Sequence, residues 1–290
     1  MIGDRLRLDG RTVVVAGAGG SGIGTAVCVA AVELGANVVG IDLDTAALAD
    51  AEAVVGDVVA PVVGRDRLGT FRGVVANVLL KREVDAAVAD AVAAFGSVDG
   101  LVHVVGGQRP RHWQPLDDFP VTDLDEVIDL NLRSALLTSQ AAARAMTASA
   151  RGGSIVHIAS VAGLVAAPFS LAYGVGKAGL LSLTRTAAAE WGPRGIRVNA
   201  VGTGTIRTPH SRGNDAADAA RDAVLPLRRR GTVEELAGAV MFLLSDLAGF
   251  VTGQTLVVDG GSTIRPSYLG PDDIPVFMED GELRQRLLQR

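Results

Sequence analysis

A chain of 290 residues with a net charge of −5, 48% hydrophobic residues and a positive mean hydropathy can bury a sizeable core, which excludes disorder over most of its length. The only dense basic cluster, Arg228 to Arg230, is too short to be an electrostatic footprint for nucleic acid, and Gly, Asp or Arg interrupts every apolar run before it could span a membrane. A single cysteine, Cys28, excludes an intrachain disulfide, suits a reducing compartment and reads as core filler.

In chain order, the opening MIGDRLRLDGR carries charges throughout, so no secretory signal is expected and the expected location is cytoplasmic. The run VVVAGAGGSGIG, Val13 to Gly24, then passes from β-branched residues into five glycines among eight residues, and helix formers follow as far as Gly35. That is strand, turn, helix. Further strands are predicted at Asn37–Ile41, Phe71–Ala76, Leu101–Val105, Ser154–Ala159, Ile196–Val201 and Thr255–Val258, with the first at Thr12–Ala16. Their continuous hydrophobicity suits strands buried on both faces, and the Ala-rich segments between them supply the crossovers. The fold expected is α/β: one Rossmann-like, doubly wound sheet of seven parallel strands with helices on both faces, forming a single domain over residues 1–262. Gly35 and Gly96 end helical stretches, and Thr232 with Glu235 offers a capping box. A lid is expected near 209–225. The tail, 263–290, contains Pro266, Pro271 and Pro275 and ends in a short amphipathic pattern; it is either loosely docked or engaged in oligomer contact or site cover.

A glycine-rich turn at a helix N-terminus suits a pyrophosphate, because backbone N–H groups and the helix dipole both favour an anion. Asp42, at the end of the second strand, is placed to accept hydrogen bonds from an adenosine ribose and to repel a 2′-phosphate, which predicts NAD(H); the competing reading is a plain cap of the helix beginning near Thr45. Downstream, Tyr173 and Lys177 stand at i and i+4, on one helix face, so an ammonium can lower the phenol pKa. Ser160, at the end of the fifth strand, can donate to a carbonyl or alkoxide oxygen. Taken singly, each of these residues has an ordinary structural explanation. Together in one fold they point to chemistry.

From about Asp9 to Ser262 the sequence resembles the short-chain dehydrogenase/reductase family. Ser160, Tyr173 and Lys177 match its active-site order and spacing, DLNLRSAL resembles the helix that carries a fourth catalytic residue, here Asn131, and RVNAVGTGTIRTP places Thr208 where the nicotinamide carboxamide is contacted. The resemblance implies reversible hydride transfer between a nicotinamide and a secondary alcohol or ketone. Tyr173 would be the acid/base, Ser160 would polarise the substrate oxygen, Lys177 would lower the tyrosine pKa and hold the ribose, and Asn131 would hold a water linking Lys177 to solvent. It implies cofactor contacts from Gly17, Gly20, Ser21, Gly22, Ile23, Gly24, Asp42, Asn77, Val78, Gly106, Tyr173, Lys177 and Thr208, with no metal, and a homotetramer or homodimer. A catalytically silent NAD-binding sensor or scaffold is the alternative. A hydrolase built on His157 and Ser160 is weaker, because residues three apart on a strand face opposite sides.

This chain departs from the family in four places, one of them Asn77, which stands where an aspartate often contacts adenine and can still accept a hydrogen bond through its side-chain carbonyl. The glycine loop has an extra residue near Gly19 or Gly20, which alters its geometry. His103, Val104, Val105 and Gly106 replace an Asn-Asn-Ala-Gly stretch, with His103 able to supply one of the missing bracing bonds, and Thr203 replaces a proline, which would loosen the following loop. The substrate walls are expected after the fourth strand, around Gln108, Arg109, Arg111, His112 and Trp113, and near Leu164 to Phe169. Solvated loop charges are the competing reading of the former.

Overall fold

The computed structural model describes residues 1–59, 68–208, 215–264 and 281–289. Strand β1 (Thr12–Ala16) explains the architecture. All of its residues are buried, with Val13 and Val15 packing into one core while Val14 and Ala16 pack into another. A strand whose successive side chains enter two different cores must be apolar throughout. Burial of each such valine contributes roughly 1.5–3 kcal/mol.

Six more strands follow: β2 (Asn37–Asp42), β3 (Thr70–Val75), β4 (Gly100–His103), β5 (Gly153–Ser160), β6 (Ile196–Thr203) and β7 (Thr255–Val258). They form one seven-stranded sheet in the order β3-β2-β1-β4-β5-β6-β7. Every pairing is parallel. The first core packs α2 (Ile23–Glu33) and α9 (Val233–Leu244) against the sheet, with Cys28 buried in it. The second packs α4 (Lys81–Phe95), α6 (Ser134–Ser149) and α7 (Leu171–Trp191). The predicted α/β sheet with helices on both faces is therefore present.

Local signals act as their chemistry dictates. Gly96 ends α4 at φ +83°, and Thr232 and Glu235 bond reciprocally at 2.9 and 3.3 Å to start α9. The strand ends differ slightly from expectation. β4 stops at His103 because Val104 N and Val105 N both turn onto Ala16 O, at 2.8 and 3.2 Å, whereas β5 and β6 run on to Ser160 and Thr203. The sheet order reverses between β1 and β4, which opens a crevice at their carboxyl ends.

Of the expected lid, residues 209–214 lie outside the described residues, and 215–223 form helix α8 (Asp215–Ala223). The Arg230 guanidinium, 5% exposed, pairs with Asp218 at 2.6 Å and Asp222 at 3.0 Å on that helix, while Arg229 pairs with Glu235 at 2.6 Å. Two of the three cluster residues are thus engaged in ion pairs, and Arg228 donates to Ala223 O at 3.1 Å. Of the tail, 265–280 and 290 lie outside the described residues, and the expected terminal helix is α10 (Gly281–Leu288). Among the described residues no helix is long and apolar enough to cross a membrane.

Candidate active site

At the end of β1 the chain enters the glycine loop at Gly17, whose φ is +88°; Gly20 (+80°) and Ser21 (+51°) are also left-handed. Glycine is needed most at Gly24, where a Cβ would lie 1.8 Å from Gly17 O, so α2 packs against the loop with no room for a side chain. Gly22 caps α2 and Ile23 begins it; the cap has no side chain to satisfy the first-turn N–H groups, and that end of the helix presents backbone donors. These features fit a pyrophosphate. The extra residue has a specific place: Gly19 N donates to Asp42 Oδ2 at 2.9 Å, and a Cβ at Gly19 would meet Ala47 Cβ at 2.7 Å.

Asp42 does not cap the next helix, α3 (Thr45–Val59). That task falls to Asp44, which accepts from Ala46 N at 2.8 Å and Ala47 N at 3.3 Å. Asp42 Oδ1 instead accepts from Leu43 N and Asp44 N at 2.8 and 3.2 Å. With Gly19 N this uses three of the roughly four acceptor sites of the carboxylate. Asn77 Oδ1 accepts from Leu79 N at 2.9 Å. A cavity of about 280 Å³ runs from Gly17 and Asp42 past Asn77 and Val78 to Val105.

On the other side of the switch point four polar side chains converge. α5 (Val121–Ile128) and α6 are joined by one wider, π-type turn, Asp129–Arg133, which points Asn131 inward and buries it completely. Asn131 Oδ1 accepts from Gly107 N at 2.8 Å, and its Nδ2 donates to Gly107 O at 2.7 Å and Val127 O at 2.9 Å. Lys177, 3% exposed, donates to Ile158 O at 2.8 Å and lies 5.6 Å from the Tyr173 ring centroid. A Cβ on Gly106 would stand 2.7 Å from Asn131 Oδ1 and 2.8 Å from Lys177 Nζ, so only glycine leaves these two groups facing one another. Ser160 Oγ accepts from Ala162 N at 3.2 Å and hydrogen-bonds to the Tyr173 phenol.

The electrostatics follow from burial. Desolvation lowers the Lys177 ammonium to about 8. It raises the Tyr173 phenol above its ordinary value, against the opposing effect of the Ser160 hydrogen bond. Burial also raises the Cys28 thiol, which keeps it inert.

The structure corrects one expectation. Thr203 does not loosen its loop: its Oγ1 donates to Ala159 O at 3.0 Å and Gly204 N bonds Val258 O at 2.9 Å. Of the segment after β4 that was expected to form a substrate wall, Gln108, Arg109 and His112 line the cavity shared with Asp42 and Asn77. Thr208 is partly buried just beyond β6. His157 cannot serve Ser160, because its ring is held between Ser139 Oγ (2.9 Å) and Thr184 Oγ1 (2.8 Å). Sequence reasoning missed two groups: the backbone of Gly107, which locks Asn131, and Ile158 O, which anchors Lys177. Backbone partners leave no signature in residue type.

Comparisons with known proteins agree with this fold. A family model described as enoyl-(acyl carrier protein) reductase matches residues 17–263. The chain is 39% identical over 264 residues to D-threitol dehydrogenase of Mycolicibacterium smegmatis, covering 89% of this chain and 95% of that one. It is 37% identical over 260 residues to 2,5-dichloro-2,5-cyclohexadiene-1,4-diol dehydrogenase of Sphingobium indicum, covering 88% and 98%. A short-chain type dehydrogenase/reductase structure from Mycobacterium ulcerans superimposes with a TM-score of 0.80 at 33% identity, covering 89% of this chain and 92% of that one.

Proposed function

The chain belongs to the short-chain dehydrogenase/reductase family of oxidoreductases, and from that premise we propose that it is an NAD(H)-dependent dehydrogenase of secondary alcohols, acting in the cytoplasm as a homotetramer or homodimer. The observation that carries this reading is the set of contacts that joins Asn131 and Lys177 at Gly106, Lys177 to the Tyr173 ring, and Tyr173 to Ser160.

When bound, the nicotinamide accepts or returns a hydride at its C4 carbon. The residues of the chain manage the proton and the oxygen. Ser160 donates to the substrate oxygen, Tyr173 takes the hydroxyl proton during oxidation and returns it during reduction, and Lys177 supplies the positive charge that favours phenolate. Asn131, fixed by Gly107 and Val127, holds a water on the route from Lys177 to solvent. Gly17, Gly20, Ser21, Gly22, Ile23 and Gly24 would cradle the pyrophosphate, Asp42 the adenosine ribose, Asn77 and Val78 the adenine, and Gly106 and Thr208 the nicotinamide half. The Asp42 carboxylate, with no cation among its partners in the described residues, supports NAD over NADP. The two relatives act on a tetritol and a cyclic diol, which supports a polyol or ring-borne diol as the substrate. Exposed Phe250, Leu256 and Val257 support an assembly between copies.

The test is dinucleotide reduction by the purified protein with secondary alcohols and diols of graded size, using NAD and NADP in parallel. Turnover that prefers NAD supports the reading. Tight NADH binding without turnover across the panel would favour the sensor instead.

A further inference from the structure

Two buried polar atoms of residues that line the cleft make no hydrogen bond among the described residues, and one of them lies 3.8 Å from the nearest carboxylate, Glu126 Oε2. They are Gln108 Oε1 and His112 Nε2, and both residues line the cavity that also holds Asp42 and Asn77. His112 is 2% exposed. Leaving such atoms unpaired costs on the order of 1–3 kcal/mol each, so a buried pair in one cavity wall points to a ligand that satisfies them.

The local bonding defines what each atom offers. Arg109 N donates to His112 Nδ1 at 3.0 Å, which places the proton of the neutral ring on Nε2 and makes that atom a donor. The same bond argues against a metal, although His112, Asp123 and Glu126 place ligand atoms within 4.8 Å of one another. A cation would require Nε2 bare, and the Arg111 guanidinium already lies against Glu126 and 3.9 Å from Asp123. Gln108 Nε2 donates to Ser170 Oγ at 2.6 Å, which fixes the amide and leaves the buried Oε1 as its unused acceptor. Across the cavity, Asp42 retains about one of its four acceptor sites. One remaining site cannot serve both hydroxyls of a ribose.

We infer that Gln108 and His112 belong to the dinucleotide site and close its adenosine end, Gln108 Oε1 accepting from a hydroxyl or amino group of the adenosine half and His112 Nε2 donating to an acceptor on it. This rests on the dinucleotide reading above and assigns to the cofactor a segment whose position in the sequence suggested a substrate wall. Because Gln108 also holds Ser170, three residues before Tyr173, ordering at the adenosine end reaches the start of α7 through one side chain.

The experiment is calorimetric titration of the intact protein with ADP-ribose and, separately, with nicotinamide mononucleotide. Gln108→Leu removes the acceptor. His112→Asn keeps an acceptor for Arg109 N and removes the donor from the Nε2 position, which the shorter carboxamide does not reach. Each variant is expected to weaken ADP-ribose about three- to tenfold and to leave nicotinamide mononucleotide unchanged. In the wild type, spectra of nitrogen-labelled histidine read the contact without mutation: a ring signal assigned to His112 moves with ADP-ribose and stays with the mononucleotide. Unchanged ADP-ribose affinity in both variants, together with a stationary His112 signal, overturns the inference. If the wild type binds NADPH better than NADH while both variants still lose ADP-ribose, the NAD assignment fails and this one stands. A wild type that binds no ADP-ribose overturns both.

Discussion

Tyr173 is a poor base as the protein alone holds it. Burial raises its pKa, only the Ser160 hydrogen bond opposes that rise, and the neighbouring Lys177 is itself lowered to about 8 by desolvation. The proposed chemistry therefore depends on Lys177 remaining protonated beside the phenol, since loss of its charge removes the cation that favours phenolate. Lys177→Gln should move the rising limb of the pH profile for alcohol oxidation to higher pH, read from kcat/KM across the alkaline range; an unmoved limb would detach Lys177 from the proton transfer. Gly106 is a second residue-scale test. An added methyl would lie 2.7 Å from Asn131 Oδ1 and 2.8 Å from Lys177 Nζ, so Gly106→Ala should lower kcat by about 10²-fold or more with the melting temperature little changed. Steady-state kinetics beside a thermal melt separate the two effects.

At the scale of elements, ends and turns place the site. The π-type turn at Asp129–Arg133 rotates Asn131 into the cleft, and Gly107 holds it there with both of its backbone groups. The sequence suggested Asn131 on a helix through DLNLRSAL, but a single wider turn depends on tertiary packing that no residue type announces. The capping box of α9 was fully legible, because Thr232 and Glu235 satisfy backbone donors within their own segment. Thr232→Ala should cost about 1 kcal/mol, measurable as a lower urea midpoint with an unchanged slope, while turnover per folded molecule stays the same. The loop after β4 was the least legible element. Whether Gln108 and His112 face cofactor or substrate is decided by contacts with Ser170 and Arg109, and neither contact follows from composition.

Across the whole molecule the sheet order was legible because every strand is apolar on both faces, and the glycine loop locates the switch point between β1 and β4. What the sequence did not show is that His103 and His157 stand opposite each other on β4 and β5, wholly buried at the centre of the sheet. Each ring has two hydroxyl partners: Ser134 at 3.1 Å and Thr138 at 2.9 Å for His103, Ser139 and Thr184 for His157. His103 was expected to replace one bracing asparagine bond, and it ties β4 to α6 through two. Burial and the nearby Lys177 charge lower His157 to about 3, and burial, the unfavourable approach of a second proton beside His157 and the Lys177 charge hold His103 well below the ordinary histidine value. Both rings are neutral in the folded state. Below about 6.5 the unfolded chain takes up protons that the folded protein refuses, so the stability present above that pH is lost as the pH falls towards 3. The slope is on the order of 1 kcal/mol per pH unit for each ring. Urea midpoints between pH 7 and 5.5, where carboxylates remain ionised, should fall accordingly, and His157→Gln should flatten the dependence. A flat wild-type curve would contradict the buried neutral pair.

The central claim is that this fold carries out alcohol oxidation through Tyr173. The measurement that bears on it most directly is NADH formation from a panel of secondary alcohols and diols by the wild type and by Tyr173→Phe, with NADH affinity determined for both. The expected result is turnover by the wild type, a loss of about 10²- to 10⁴-fold in the variant and nearly equal NADH affinity. A variant that turns over as fast as the wild type, or a wild type that binds NADH and oxidises nothing on the panel, would contradict it.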